Sequence, residues 1–479
     1  MDNISIVILA AGLGTRMKSK RAKVLHEAGG APLIEHVAGA TLALAPPERI
    51  FVVVGREAEQ VQAVLAGRGV QFVLQSQQLG TGHALKISRE RVEPLGGDVV
   101  VLYGDCPLLS PGTLRELIQA QQSGPSAATV ITTVLADPAG YGRILRDADG
   151  SVRAIVEQKA ATPEELAIRE VNSGIYCFRG DLLWRHLSEI QPANAAREYY
   201  LTDIVAIFHR AGLAVRPLLV EDPSELLGIN TRVELAQVDA ILRLRKARQL
   251  MLDGVTIEKP ETVTVDAGVE IGPDTIIEPF ARILGRTRIG ENCRIGACSV
   301  VRDSELAGEV EVLPFTMVDD CTIGRGARLG PYSRLRMKAR VGAGARIGNF
   351  VELKKTDFGA GSKSQHLAYL GDAKIGEGAN IGAGAITCNY DGEKKHETRI
   401  GAGAFIGSNA TLVAPLEIGD GAYVAAGSVV TDSVPADALA LGRARQVVKE
   451  GWAKKRRAKS SAPPAADEGE SESTGNERK

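Results

Sequence analysis

Residues 271–301 read IGPDTIIEPFARILGRTRIGENCRIGACSVV, and an aliphatic side chain recurs there every six residues. A period of six is neither helical nor a simple alternation; it is typical of short flat strands separated by tight turns. Glycine follows many of these aliphatics, as at Ile289-Gly290 and Ile295-Gly296, and relieves the backbone where it bends. About eighteen residues then make one three-sided coil, and stacked coils bury one another's aliphatic side chains.

The same repeat extends well beyond this stretch. One-residue slips follow Val301 and Val318 and leave the period intact. Longer breaks lie between Leu353 and Ile375 and between Thr387 and Ile400, and we predict an inserted loop at each. Loops displaced from a rigid scaffold often carry functional sites. The repeated positions beyond residue 301 are Leu306, Val312, Val318, Ile323, Leu329, Leu335, Val341, Ile347, Leu353, Ile400, Ile406, Leu412, Ile418, Val424 and Val430.

Residues 1–230 follow a different pattern, in which short β-branched runs alternate with amphipathic helical stretches. This alternation predicts an α/β domain with a Rossmann-like, mostly parallel sheet, whose ligands bind at the carboxyl ends of strands. Residues 231–252 form one helical candidate that links this domain to the repeat. The predicted strands are Ile4–Leu9, Ile50–Val54, Gln71–Gln75 and Val99–Leu102; the predicted helices are Leu33–Leu44, Ala58–Leu65, His83–Arg91 and Thr113–Gln121.

The composition of the chain argues against several classes of protein. The net charge of -1 and an aromatic content of 4% speak against a nucleic-acid partner. No run approaches the ~20 apolar residues of a membrane span and no signal peptide opens the chain, so we expect a cytoplasmic protein with no membrane partner. The six cysteines have irregular spacing and no C-x-x-C pair, which predicts buried free thiols rather than disulfides. Residues 453–479 are polar and mixed in charge, and we expect disorder there.

The first predicted strand ends in a glycine-rich turn that reads LAAGLGTRM at residues 9–17. Such a turn exposes backbone N–H groups that can cradle phosphate, and Arg16 and Lys23 could neutralise its charge. Met17 replaces the third glycine of a dinucleotide fingerprint, and a Walker A lysine is missing. A tight turn without a ligand remains the alternative from these residues alone.

Together with Lys23-Val24-Leu25, this turn resembles the signature of the sugar-nucleotide pyrophosphorylases, although Ala22 stands where that family usually has proline. The resemblance implies catalytic roles for Arg16 and Lys23 and a Mg²⁺ site at Asp105 and Asn230. From the residues alone, Asp105 could be a turn residue and Asn230 a helix N-cap. The implied nucleotide and sugar contacts are Leu9, Ala10, Ala11, Gly12, Lys23, Gln75, Gly80, Thr81, Tyr103, Gly104, Asp105, Gly142, Glu157, Asn172 and Asn230.

The predicted loop at the first long break reads KSQHLAYLGD at residues 363–372. His366 is the natural general base at neutral pH, although a lone loop histidine is more often incidental. Arg336, Lys354 and Lys355 lie in the preceding coils and would form a local anion patch in a chain without overall positive charge.

This stretch and IGAGAITCNYDG at residues 381–392 resemble the acetyltransferase domain of the bifunctional N-acetylglucosamine-1-phosphate uridyltransferase/glucosamine-1-phosphate acetyltransferase family. The family implies a left-handed β-helix, a homotrimer, His366 as general base, UTP and acetyl-CoA as co-substrates, and UDP-N-acetylglucosamine for the bacterial cell envelope as product. Glu352 is a weaker candidate to orient the site. Met337 departs from the family's usual L-R-P. The implied sugar-phosphate contacts are Arg336, Lys354, Tyr369 and Asn380, and the implied acetyl-CoA contacts are Ala383, Asn389, Tyr390, Ser408, Ala426 and Arg443.

We therefore predict a nucleotidyltransferase domain at residues 1–230, a linker helix at 231–252, an acetyltransferase β-helix at 253–452 and a tail at 453–479. Two other readings remain open at this stage. One is a monofunctional pyrophosphorylase whose β-helix is structural or regulatory. The other is a non-enzymatic binding platform with a degenerate nucleotidyltransferase domain.

Overall fold

A computed structural model of the chain describes residues 3–12, 14–194 and 197–460. The N-terminal part folds as a mostly parallel sheet with helices around it. Its strands are β1 (Ile4–Leu9), β2 (Glu27–Ala28), β3 (Ala31–Pro32), β4 (Ile50–Val54), β5 (Gln71–Leu74), β6 (Asp98–Tyr103), β7 (Ala128–Val134), β8 (Arg143–Arg146), β9 (Val152–Val156), β10 (Glu170–Arg179) and β11 (Val215–Leu219). Its helices are α1 (Leu33–Leu42), α2 (Ala58–Val64), α3 (Thr81–Val92), α4 (Pro111–Gln122), α5 (Pro163–Leu166), α6 (Gly180–His186) and α7 (Asp203–Arg210).

The main sheet has the order β11-β7-β10-β6-β1-β4-β5, with β10 antiparallel to both β6 and β7. All six residues of β1 are buried, as expected for a continuous apolar strand that is covered on both faces. Leu9 at the end of β1 pairs with Val53 of β4 and Tyr103 of β6. The carboxyl ends of these three parallel strands therefore meet at one edge of the sheet.

A long helix, α8 (Arg232–Leu252), follows the sheet and contacts both halves of the chain. Thr231 caps it, because its side chain accepts from the Glu234 N–H and Glu234 bonds back. Arg243 on this helix forms ion pairs with Asp239 and with Asp266 of the β-helix, at 2.9 and 2.7 Å. The helix is thereby tied to the first coil of the repeat.

The repeat folds as thirty short strands in three parallel sheets. The first face runs β12-β15-β18-β21-β24-β27-β30-β33-β36-β39-β41, the second β13-β16-β19-β22-β25-β28-β31-β34-β37-β40, and the third β14-β17-β20-β23-β26-β29-β32-β35-β38. The α/β and left-handed β-helix fold classes are confirmed. The strands are β12 (Thr256–Ile257), β13 (Thr264–Val265), β14 (Glu270–Ile271), β15 (Ile276–Ile277), β16 (Arg282–Leu284), β17 (Arg288–Ile289), β18 (Arg294–Ile295), β19 (Val300–Arg302), β20 (Glu305–Leu306), β21 (Glu311–Val312), β22 (Met317–Asp319), β23 (Thr322–Ile323), β24 (Arg328–Leu329), β25 (Arg334–Arg336), β26 (Arg340–Val341), β27 (Arg346–Asn349), β28 (Glu352–Lys354), β29 (Asp357–Phe358), β30 (Lys363–His366), β31 (Tyr369–Gly371), β32 (Ala373–Ile375), β33 (Asn380–Ile381), β34 (Ile386–Cys388), β35 (Thr398–Ile400), β36 (Phe405–Ile406), β37 (Thr411–Val413), β38 (Leu416–Ile418), β39 (Tyr423–Val424), β40 (Val429–Val430) and β41 (Leu439–Ala440).

The loop predicted between Leu353 and Ile375 is wrong. Strands β29 to β32 continue the coil there, and Phe358, Ser364 and Leu370 occupy the inward positions, all buried. An aromatic ring and a hydroxyl replace aliphatic side chains at two of these positions, and two of the steps span five residues, so the period was hidden. The second predicted insertion is present, because residues 389–397 leave the coil between β34 and β35.

Two smaller expectations also differ from the structure. Cys298 is exposed and Cys388 is half-buried, whereas the other four cysteines are buried; all six are free thiols. Residues 453–460, expected to be disordered, continue the helix α9 (Trp452–Ser460), in which alanine, lysine and arginine favour the helical state. Residues 461–479 lie outside the described residues. Within the described part of the chain, no helix combines the length and apolar character that a membrane crossing requires.

Candidate active sites

A cavity of about 580 Å³ opens where β1, β5 and β6 end. The glycine-rich turn forms one wall, and the ends of β5 and β6 form others. Twelve of the residues implied by the pyrophosphorylase resemblance line it: Leu9, Ala10, Ala11, Gly12, Lys23, Gln75, Gly80, Thr81, Tyr103, Asp105, Glu157 and Asn172. Residues that are widely separated along the chain therefore meet at this edge of the sheet.

The remaining implied residues lie beside this cavity rather than in its wall. Gly104 follows Tyr103 directly, and its N–H donates to the Leu9 carbonyl at 3.0 Å. The Gly142 carbonyl accepts from the Asn172 N–H at 2.9 Å. Arg16 and Asn230 bond to each other at 2.8 Å.

Lys23 joins the two residues expected to hold a metal. Its ammonium donates to the Asp105 carboxylate in a short contact and to the Asn230 side-chain oxygen at 3.2 Å. Asn230 does not cap α8, since Thr231 does. A carboxylate and an amide oxygen that converge on one cation are a donor set that suits Mg²⁺, which takes its other ligands from water and substrate phosphates. Among the described residues, no three His, Cys, Asp or Glu side chains cluster as a complete protein cage.

Residues 198–202 complete the cavity, although no motif in the sequence points to them. Glu198, Tyr200 and Thr202 line it. The Tyr199 carbonyl accepts from the Gly82 N–H at 2.8 Å, which ties this segment to the start of α3. A Cβ at Gly80, where φ is +106°, would lie 2.6 Å from the same carbonyl. Only glycine fits there, and the pairing is invisible in the sequence because 119 residues separate Gly80 from Tyr199.

Two polar residues in the cavity have defined partners. Burial raises the pKa of Glu157, opposed by a hydrogen bond from Thr202 at 3.4 Å. Gln75 is buried, and its amide nitrogen lies 3.3 Å from the Gly80 carbonyl and 3.0 Å from His83 Nδ1. His83 therefore holds the Gln75 side chain in place.

In the β-helix, His366 ends β30 and lies beside Asn349 of β27 in the preceding coil. Its Nδ1 is 2.7 Å from Asn349 Oδ1. Because an amide oxygen only accepts, Nδ1 is the donor in this hydrogen bond, and in a neutral imidazole the lone pair is then on Nε2. The histidine thus belongs to the rigid coil rather than to a loop. Glu352 does not orient it, since Glu352 accepts from Arg336 Nε at 2.7 Å.

Small residues are stacked on His366, coil after coil, along one edge of the β-helix. This edge, which includes His366, Ala383, Ser408 and Ala426, is here named the His366 corner. The Leu367 carbonyl accepts from Gly384, the Ala383 carbonyl from Asn409, and the Ser408 carbonyl from Gly427, all at 2.7–2.9 Å. Gly442, just before Arg443, donates to Ser428 in the top coil. The residues implied for acetyl-CoA at this edge are therefore stacked above the histidine: Ala383, Ser408, Ala426 and Arg443.

The two cations implied for the sugar phosphate, Arg336 and Lys354, lie at the opposite edge of the second face. This edge, which also includes Asp372, is here named the lysine corner. Lys354 is buried, and its ammonium lies 3.4 Å from Asp372, which also accepts from Asn389 at 2.6 Å. Burial alone would raise the pKa of Asp372, but the Asn389 hydrogen bond and the Lys354 charge hold it below its usual value. Lys395, from the inserted segment, contacts Lys354, whose ammonium lowers the pKa of Lys395.

The two corners lie apart within one chain. From Leu367 to Asp372 the backbone crosses the second face, about 16 Å at ~3.3 Å per residue. Tyr369 lies between them on β31, and Asn380 lies on the first face in the coil after His366. Tyr390 is exposed on the inserted segment. The cavity beside His366 is lined by neither Arg336 nor Lys354.

Comparison with known proteins follows the same two-part division. Residues 6–162 match the MobA-like NTP transferase domain, and residues 268–303 and 397–432 match the bacterial transferase hexapeptide (six repeats). The chain is 60% identical over 454 residues to the bifunctional protein GlmU of Solibacter usitatus, covering 95% of this chain and 97% of that one. It is 50% identical to the bifunctional protein GlmU of Koribacter versatilis (95% and 97% covered) and 47% identical to that of Trichormus variabilis (94% and 99%).

Proposed function

Since this chain belongs to the family of bifunctional GlmU proteins, we propose how its two halves divide two successive transfers. The chain is a bifunctional transferase that makes UDP-N-acetylglucosamine. It transfers acetyl from acetyl-CoA to glucosamine-1-phosphate, and then uridylyl from UTP to N-acetylglucosamine-1-phosphate. We assign the second step to residues 1–230 and the first to residues 253–452, with α8 between them.

The convergence of Lys23, Asp105 and Asn230 supports the uridylyl assignment best. An oxygen of the sugar phosphate attacks the α-phosphorus of UTP, a new P–O bond forms, and the bond to pyrophosphate breaks. The nucleophile is already ionised, so positioning and charge neutralisation do the catalytic work. Arg16 and Lys23 neutralise the phosphates from beside the glycine-rich turn.

Asp105 and Asn230 would hold the Mg²⁺, and Lys23 occupies their oxygens in the chain described here. When bound, the ion would neutralise phosphate charge during the transfer. Gln75, Gly80 and Thr81 would contact the base. Glu157, Asn172 and Gly142 would contact the sugar from the far side of the cavity.

For acetyl transfer we assign the base to His366. The amine of glucosamine-1-phosphate attacks the thioester carbonyl, Nε2 accepts the amine proton, and the C–S bond breaks to release CoA, whose sulfur takes a proton. Asn349 positions the imidazole by accepting from Nδ1. The His366 corner would hold acetyl-CoA along its stacked small residues, with a backbone N–H near Ala383 available to the oxyanion.

The separation of the two corners favours a site shared between chains. The phosphate and amine of glucosamine-1-phosphate are closer together than the ~16 Å across the second face. We therefore propose a homotrimer in which the lysine corner of one copy faces the His366 corner of another. Arg336, Lys354, Tyr369 and Asn380 would then contact the sugar phosphate, with Asn389 and Tyr390 beside acetyl-CoA. We also propose the cytoplasm as the location, since UTP and acetyl-CoA are available there.

One assay tests the whole proposal. The full chain is incubated with acetyl-CoA, glucosamine-1-phosphate, UTP and Mg²⁺, and free CoA and pyrophosphate are detected separately. We expect to detect both products. The release of pyrophosphate should require acetyl-CoA, unless N-acetylglucosamine-1-phosphate is supplied directly. Pyrophosphate without CoA would leave the β-helix as a structural element and contradict the acetyl-transfer half.

A further inference from the structure

Gln75 lines the N-terminal cavity with a buried side chain whose amide group has two partners. The residue follows β5, and its backbone N–H donates to the Val54 carbonyl at 2.7 Å. Its side-chain nitrogen lies 3.3 Å from the Gly80 carbonyl and 3.0 Å from His83 Nδ1. A carbonyl oxygen only accepts, so the amide atom that faces Gly80 must be the nitrogen. This contact determines which way round the amide lies.

His83 takes the second hydrogen of the same amide nitrogen. One of the two hydrogens goes to the Gly80 carbonyl, and the other goes to His83 Nδ1, which therefore accepts. In a neutral imidazole the ring hydrogen is then on Nε2. His83 lies in the first turn of α3, and its ring lies beside that of Tyr199, with the ring centroids 6.3 Å apart. Turning the amide by 180° would place its oxygen against two acceptors, so both partners oppose the turn.

The amide oxygen of Gln75 remains as an acceptor. Nothing in the three described ranges, 3–12, 14–194 and 197–460, donates to it. A molecule bound in the cavity can therefore donate to this oxygen. Uracil and thymine carry an N–H at N3, whereas cytosine has a lone pair at the same position. An acceptor that is prevented from turning attracts the first two bases and repels the third.

We infer that His83 is a positioning residue that sets the base specificity of this site. It holds the Gln75 amide so that the cavity takes pyrimidine nucleotides with an N3–H and rejects cytidine nucleotides. The inference rests on the proposed contact between Gln75 and the base of the nucleotide. Without His83, only Gly80 opposes the turn of the amide, and a turned amide would donate from its nitrogen to N3 of cytosine.

The experiment compares UTP, CTP and dTTP on the full-length chain with Mg²⁺. Pyrophosphate release with N-acetylglucosamine-1-phosphate gives kcat/KM for each nucleotide, and calorimetry gives the three dissociation constants without the sugar phosphate. His83→Leu removes the acceptor, and His83→Asn keeps a side-chain oxygen that can accept. Lys86→Met is the matched control, because Lys86 lies one turn further along α3. Its ammonium lies 4.4 Å from the centre of the Tyr199 ring and bonds to the Ile190 carbonyl rather than to Gln75.

We expect the unsubstituted chain to prefer UTP to CTP, both in binding and in kcat/KM. His83→Leu should lower this preference by about tenfold, the contribution of one hydrogen bond to the orientation of the amide. The ratio of UTP to dTTP should not change, because both bases keep the N3–H. His83→Asn should retain most of the preference for UTP, and Lys86→Met should retain all of it.

Three results would overturn the inference. The first is an unchanged preference for UTP in His83→Leu, and the second is an unsubstituted chain that binds CTP as tightly as UTP. The third is an equal loss of binding for all three nucleotides in His83→Leu, which would give His83 a general structural role. CoA release and the thermal unfolding curve check that each variant is folded. If the unsubstituted chain released no pyrophosphate from any nucleotide, the proposed uridylyl transfer would fail, and the dissociation constants would still decide the role of His83.

Discussion

Replacing His366 by alanine should abolish one activity and spare the other. His366 is exposed and has a single side-chain hydrogen bond, to Asn349, so its removal costs the fold about 1 kcal/mol or less. Loss of a general base lowers a rate by roughly 10²- to 10⁴-fold. We therefore expect kcat for CoA release to fall by that factor with an almost unchanged unfolding temperature.

The other active site is too distant to respond. His366 lies on the seventh strand of the first face, and six steps of about 4.8 Å place it about 29 Å along the axis from β12. Substitutions more than roughly 10 Å apart act independently when they share no partner. Pyrophosphate release with supplied N-acetylglucosamine-1-phosphate should therefore remain within about twofold of the unsubstituted chain.

The assay follows CoA with a thiol reagent and pyrophosphate with a coupled phosphatase, on the same preparation. His366→Gln is the matched control, because it keeps a polar side chain of similar reach without a base; it should match the alanine variant. Asp105→Ala should give the converse result, with pyrophosphate release lost and CoA release kept. A folded His366→Ala chain that lost both activities, or kept CoA release, would refute the two-site reasoning.

Three further substitutions test single contacts. Asn349→Ala should lower kcat for CoA release by about three- to tenfold, and Asn349→Asp should move the acid limb of its pH profile to higher pH, because a carboxylate favours the imidazolium. Phe358→Ala should lower the free energy of unfolding of the β-helix by about 3–5 kcal/mol, measured by denaturant titration, because it leaves a cavity in a fully buried inward position. Glu157→Gln should stabilise the N-terminal domain at neutral and higher pH but not at acid pH. Burial raises the pKa of Glu157 in the folded chain, so the ionised carboxylate lowers the stability of the fold. This loss of stability is absent at pH values below the pKa of Glu157 in the unfolded chain. It grows as pH rises and is complete above the pKa of Glu157 in the folded chain.

Each of these has a result that would count against it. An unshifted pH profile in Asn349→Asp would show that Asn349 does not contact the base in solution. A Phe358→Ala chain as stable as a Phe350→Ala control, which removes an exposed ring, would place Phe358 outside the core. Equal unfolding temperatures for Glu157→Gln and the unsubstituted chain at every pH would show that Glu157 is solvated.

The sequence by itself determined both scaffolds. Residues 271–301 repeat every six residues, and a short, β-branched and mostly apolar run such as Ile4–Leu9, ended by a glycine-rich turn, favours a buried strand. These patterns arise from local periodicity, which burial imposes on every strand separately, so they can be read without any contact. The second insertion was also visible, since 13 residues separate Thr387 from Ile400 where the repeat predicts about six.

Only the tertiary structure decided which residues meet. It placed His366 on a regular coil, because Phe358 and Ser364 fill inward positions that an aliphatic pattern does not register. It replaced Glu352 by Asn349 as the partner of the imidazole. These outcomes depend on which coil stacks on which, and on side chains brought together from distant positions. Local periodicity carries no information about such pairings, because they are set by packing between segments rather than within them.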